Sequence, residues 1–68
     1  MVIITTVKSA EVIKKLEADG WRLDRIKGSH HQFSHPGKPG IVTVPHPRKD
    51  IPLPTLRSIC RQAGLPWR

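Results

Sequence analysis

Apolar residues recur along this chain with two different spacings, and each change of spacing marks a new element. Val12, Ile13 and Leu16 stand at i, i+1 and i+4, while Lys14, Lys15 and Glu17 fall outside that stripe. This is the signature of a short helix with one apolar side. Ser9 offers a capping side chain for a helix that begins near Ala10. Glu11 falls in its first turn, where the helix dipole favours an anion. Gly20 is placed to stop the helix in the left-handed conformation.

From Trp21 the period shortens. Trp21 to Lys27 alternates apolar and charged residues and then slips at Arg25-Ile26, which predicts a strand with a bulge. Gly28-Ser29 is a tight-turn pair, and His30 to His35 reads as the returning strand. Phe33 must face the interior, so His31 and His35 share its side. His30, Gln32 and Ser34 then face away. Pro36 to Gly40 is a loop by composition. Ile41-Val42-Thr43-Val44 is β-branched throughout and is the strongest strand in the chain, ended by Pro45. His46 to Asp50 follows as a polar connector. Leu56, Ile59, Cys60 and Ala63 stand at i, i+3, i+4 and i+7, a second helical stripe. That helix is expected to begin between Pro52 and Thr55, with proline in its first turn, and to end at Gly64.

The predicted order is helix, strand, strand, strand, helix. Helices this short are marginal alone and need a surface. One face of a three-stranded antiparallel sheet supplies it, so both helices are expected on that face and the opposite face is left open. This places the chain in the α+β class. With 68 residues it is read as one domain spanning 1–68, with 1–6 as an N-terminal extension of no inferred function. A domain of this size buries only about 60% of its unfolded surface, so its core must be a handful of side chains.

Charge narrows the partners. Twelve Lys and Arg against five Asp and Glu give a net charge of +7, which favours RNA, DNA or an acidic protein surface. No stretch approaches the ~20 apolar residues of a membrane span. Met1 to Val7 is apolar but too short for a secretory signal and lacks a basic start, so a cytoplasmic location is expected. Cys60 is the sole cysteine, which rules out an internal disulfide and suits a core position on the second helix. A zinc site built from His30, His31, His35 and His46 lacks paired cysteines and a two-histidine helix motif. No metal or cofactor is expected.

Several markers then occur in a consistent order: Asp19-Gly20-Trp21, Gly28-Ser29-His30-His31-Gln32-Phe33, His35-Pro36, Val42-Thr43-Val44-Pro45-His46-Pro47, Lys49-Asp50-Ile51-Pro52, Thr55-Leu56 and Gln62-Ala63-Gly64-Leu65. Together they resemble the HicA toxins of bacterial HicA–HicB toxin–antitoxin systems, over about Lys8 to Leu65. The resemblance implies a fold like the double-stranded-RNA-binding domain, in agreement with the element order above. It also implies a ribonuclease that acts on messenger RNA and arrests translation, and a HicB antitoxin that covers the active surface. The catalytic histidine it implies is the first after Gly-Ser, which is His30. Strand parity picks out the same residue as the exposed imidazole.

RNA carries its own nucleophile, the 2′-hydroxyl, so cleavage needs proton transfer and positive charge rather than a metal. A positioned histidine contributes roughly 10²–10⁴ in rate, and cations stabilise the developing charge. His30 is the expected proton-transfer group, with His46 as a candidate second. Lys27, Arg48 and Lys49 are expected to hold phosphate, and Ser29 and Gln32 to join them in binding RNA. His31 is expected to be half-buried with a satisfied hydrogen bond, and His35 to be structural. The free toxin is expected to be monomeric, and to form a hetero-oligomer through an acidic antitoxin surface. Trp67 is a candidate contact for that partner or for its own helix. A non-catalytic RNA- or DNA-binding module of the same fold is the alternative.

Overall fold

A computed structural model describes residues 6–66. Trp67 therefore lies outside the described residues, as does the extension up to residue 5. Seven elements follow in order: β1 (Thr6–Val7), α1 (Ser9–Ala18), β2 (Arg22–Lys27), β3 (His30–His35), β4 (Lys38–Pro45), β5 (Ile51–Pro52) and α2 (Leu53–Ala63). Strands β2, β3 and β4 form the expected three-stranded antiparallel sheet, in that order. The α+β class holds, and the architecture is consistent with the double-stranded-RNA-binding-domain fold.

A second, two-stranded sheet has no counterpart in the sequence pattern. β1 pairs antiparallel with β5, Thr6 against Pro52 and Val7 against Ile51. Two-residue strands carry no periodic signal, which is why only the tertiary structure discloses them. The pairing ties Thr6, the last residue of the extension, to the lead-in of α2.

Burial follows the apolar stripes. Val12 and Leu16 of α1, Phe33 of β3, Val42 and Val44 of β4, and Leu56, Ile59, Cys60 and Ala63 of α2 share one core with Val7, Trp21 and Ile51. Both helices pack mainly on β4. Burial pushes the Cys60 thiol upward, as expected for a core cysteine beside apolar neighbours. Among the described residues no helix is long and apolar enough to cross a membrane.

Three local expectations are corrected. Ser9 does not cap α1: it is the helix's first residue, Lys8 occupies the cap position, and no side chain caps there. The Ser9 side chain is instead 1% exposed and bound to a loop far along the chain. The last strand begins at Lys38, not Ile41. It lies at the edge of the sheet, where a proline's missing N–H costs nothing, so Pro39 is accommodated. The bulge in β2 falls between Leu23 and Arg25, one step before the slip read from the pattern.

The helix ends behave as the glycines predict. Gly64 closes α2 at φ +69, with the Leu65 N–H donating to the Cys60 carbonyl. Gly20 follows α1 at φ +102, and a Cβ built there would lie 2.9 Å from the His35 Nε2. Gly20 therefore answers two demands: a left-handed backbone and the close approach of an imidazole.

Candidate functional site

The β2–β3 hairpin turns through Gly28 and Ser29, with Lys27 paired to His30. Gly28 has φ +62, which suits the first position of a two-residue hairpin turn. From that turn His30 begins β3 and is exposed. Phe33 is 1% exposed and faces the core, so alternation directs His30, Gln32 and Ser34 to the opposite side of the sheet.

The bulge decides what meets them there. Across β2, Arg22 pairs with Ser34, Arg25 with Gln32 and Lys27 with His30. Cross-strand partners project to the same face. Without the extra residue at Asp24, Arg22, Asp24 and Ile26 would share that face. With it, Arg22, Arg25 and Lys27 do, and Leu23 and Ile26 turn to the other side. Leu23 pairs with Phe33 and Ile26 with His31, yet they remain 48% and 55% exposed because β2 is an edge strand. The open face therefore carries three cations beside His30 and Gln32. Arg22 and Arg25 were not singled out by sequence reasoning. The alternation slip was the available signal, and its position by one residue settles which side chains align.

His46 is placed elsewhere. Its N–H donates to the Ser29 carbonyl at 2.7 Å, continuing the β3–β4 ladder beyond the Pro45–His30 pair. Its ring lies 4.8 Å from the ring of His31, edge-on at 80°. His31 shares its face with Phe33, so His46 sits on the core side of the sheet end while His30 faces out from the open side. The connector that follows carries Arg48 and Lys49, both exposed. Arg48 also approaches Asp50 at 3.6 Å, a solvent-exposed pair of little energetic weight. Of the expected phosphate-binding set, Lys27 and Gln32 stand on the open face with His30, and Ser29 in the turn beside it. Arg48 and Lys49 accompany His46.

Ser9 is the residue that organises this second group. Its hydroxyl lies 2.7 Å from the His46 Nδ1, donates to the Arg48 carbonyl at 3.0 Å and accepts from the Arg48 N–H at 2.8 Å. Its own N–H also donates to the Arg48 carbonyl at 2.8 Å. Ser9, His46, Pro47, Arg48 and Lys49, with Lys8 and Ala10, line a cavity of about 350 Å³ that does not include His30. The sequence held no sign of this, because the contact joins residues 37 apart.

The remaining histidines divide as expected in part. His35 is structural: its Nε2–H donates to the Asp19 carbonyl at 2.7 Å and its Nδ1 accepts from the Gly37 N–H at 2.8 Å. His31 is half-buried as anticipated, but its contact is the His46 ring rather than a hydrogen bond. Among the described residues no group of three or more His, Cys, Asp or Glu is arranged to hold a metal ion.

A search of curated proteins finds no match. The family model described as the HicA toxin of bacterial toxin–antitoxin systems matches residues 9–65.

Proposed function

The chain belongs to the HicA toxin family and is a toxin of a toxin–antitoxin system; on that premise we propose that it is a metal-independent endoribonuclease that cleaves messenger RNA in the cytoplasm and is neutralised by a HicB antitoxin. His30 is the proton-transfer group of this reading. One observation carries it: an exposed imidazole stands opposite Lys27 in register, on a sheet face that also presents Arg22 and Arg25.

The chemistry needs little more. A neutral imidazole can take a proton from the 2′-hydroxyl, and a protonated one can give a proton to the departing 5′-oxygen. The 2′-oxygen bonds to phosphorus as the bond from phosphorus to the 5′-oxygen breaks. The products are a 2′,3′-cyclic phosphate and a free 5′-hydroxyl. Negative charge on the transition state is met by fixed cations, which act without reorganisation. Lys27 stands beside His30 for that task, and Arg22, Arg25 and Gln32 extend the track along which a phosphate backbone lies. The same cationic face suits an acidic antitoxin, whose docking would both be steered by charge and exclude RNA.

The test uses purified protein and a defined RNA with EDTA present. The native chain is expected to yield fragments, and His30→Ala is expected to bind the RNA without cutting it. Full cleavage by folded His30→Ala would remove His30 from the mechanism. Binding without cleavage by the native chain would instead identify a non-catalytic nucleic-acid-binding module.

A further inference from the structure

Where the start of α1 meets the connector after β4, the polar groups are engaged with one another. The Ser9 side chain is 1% exposed, and its hydroxyl lies 3.0 Å from the Arg48 carbonyl, 2.8 Å from the Arg48 N–H and 2.7 Å from the His46 Nδ1. The Ser9 N–H is directed to the same Arg48 carbonyl at 2.8 Å. What remains to face outward is apolar: the Ala10 methyl, the Pro47 ring, the half-buried His46 ring and the aliphatic stems of Lys8, Arg48 and Lys49. These line a cavity of about 350 Å³ whose accessible wall is almost wholly apolar.

Such a wall discriminates between occupants. A phosphate inside it would lose water and gain no donor. A nucleobase would leave the donors and acceptors of its ring edge unpaired, which is costly. A leucine, isoleucine or phenylalanine side chain leaves nothing unpaired and contributes its full burial. Charge then narrows the source of that side chain. Lys8, Arg48 and Lys49 are exposed round the cavity and no acidic residue lines it. Asp50 lies 3.6 Å from Arg48, and Glu11 is the next residue along α1. A second copy of a chain with net charge +7 is repelled from such a rim. A partner whose apolar residue is flanked by Asp or Glu is drawn to it.

We infer that this cavity is an anchor site for the antitoxin, seating one bulky apolar side chain from an acidic segment. The inference rests on the HicB pairing proposed above and adds a contact away from the cationic sheet face. The position suits inhibition. The His46 N–H bonds the Ser29 carbonyl at 2.7 Å and Pro45 pairs with His30, so the cavity wall is tied to the end of the sheet that carries His30. A segment anchored here is held beside the proton-transfer group without touching it, and its acidic neighbours reach the cations of the open face. Buried apolar anchors govern how slowly a complex separates, whereas rim charges govern how fast it forms.

Binding kinetics between the full chain and its HicB antitoxin test this, with melting curves and RNA cleavage recorded for every variant. Ala10→Trp fills the cavity from an exposed position in the first turn of α1. It is expected to fold and to cut RNA like the native chain, and to bind the antitoxin about 30-fold more weakly, chiefly through faster dissociation. Lys8→Gln is expected to slow association at low salt, with the difference closing as salt rises. Native-like antitoxin affinity in folded Ala10→Trp would overturn the inference. Should that variant fail to fold, Ala10→Glu, which the helix dipole favours at this position, takes its place with the same expected loss. Weakened RNA binding with antitoxin affinity intact would assign the cavity to RNA, and a native dimer abolished by Ala10→Trp would assign it to a second copy; either result overturns the anchor. A native chain that does not bind the antitoxin at all sinks the pairing itself, whereas tight binding insensitive to Ala10→Trp sinks the anchor alone.

Discussion

The ammonium of Lys38 lies 2.6 Å from the Asp19 carboxylate and donates as well to the Ala63 carbonyl at 3.0 Å. One side chain at the start of β4 thus joins the end of α1 to the end of α2. The Lys38 hydrogen bond is the main reason the Asp19 carboxyl is held below its ordinary value of 3.8. Burial opposes it, and the charges of Lys38 and His35 reinforce it. A depressed folded pKa means that Asp19 favours the native state above about pH 3.8, and that this contribution is lost as pH falls through the lower, folded value. Lys38→Met should return the Asp19 carboxyl toward 3.8 in an NMR titration. Its stability deficit in urea melts should be largest near neutral pH and narrow in acid. A deficit of constant size from pH 7 to pH 2 would show that the ion pair does not contribute.

Core truncation should separate sharply from its neighbours on the same helix. Leu56 is fully buried while Arg57 is exposed. Leu56→Ala should cost roughly 2–5 kcal/mol, from the forfeited transfer energy and the cavity left behind. A domain of this size has only about 3–10 kcal/mol in total, at the usual stability per residue. Arg57→Ala should stay within about 0.5 kcal/mol. Equilibrium urea unfolding of the two variants, compared with the native chain, checks both values.

Two glycines outside the core offer a second contrast. Both Gly20 and Gly28 have positive φ, but a Cβ on Gly20 meets the His35 ring whereas one on Gly28 meets nothing within 4 Å. Gly28→Ala should therefore suffer backbone strain alone. Gly20→Ala should suffer that strain and also displace His35 from the Asp19 carbonyl, costing more than about 1 kcal/mol. Thermal melts should rank Gly20→Ala below Gly28→Ala; the reverse order would mean the steric account is mistaken.

The cations aligned by the β2 bulge should act as a set on RNA affinity. Removing one cation from the phosphates of single-stranded RNA should reduce the salt slope of binding by about 0.7. Arg22→Ala, Arg25→Ala and Lys27→Ala should each show this by filter binding across a salt series. Asp24→Ala, from the bulge itself, should not. Equal slopes in all four variants would place the RNA track on another face.

Much of this molecule was legible in the order of its residues. The apolar stripe from Leu56 to Ala63 and the alternation around Phe33 are local, period-bound signals, and both map onto buried faces. The exposure of His30 follows from Phe33 by parity alone. The alignment of Arg22 and Arg25 with His30 depends on a bulge whose position no period defines. The edge location of β4, which admits Pro39, also depends on which strands pair.

Chain order and side-chain chemistry suffice for the helices, the three main strands, the turn at Gly28 and the cationic character, because each depends on neighbours a few residues away. Folding alone decides that Ser9 is a clamp rather than a cap, that His46 meets His31 on one side of the sheet while His30 faces the other, and that Thr6 and Val7 find Pro52 and Ile51. Those contacts span tens of residues. Their partners are selected by packing and hydrogen-bond saturation in three dimensions, and neither leaves a periodic trace along the chain.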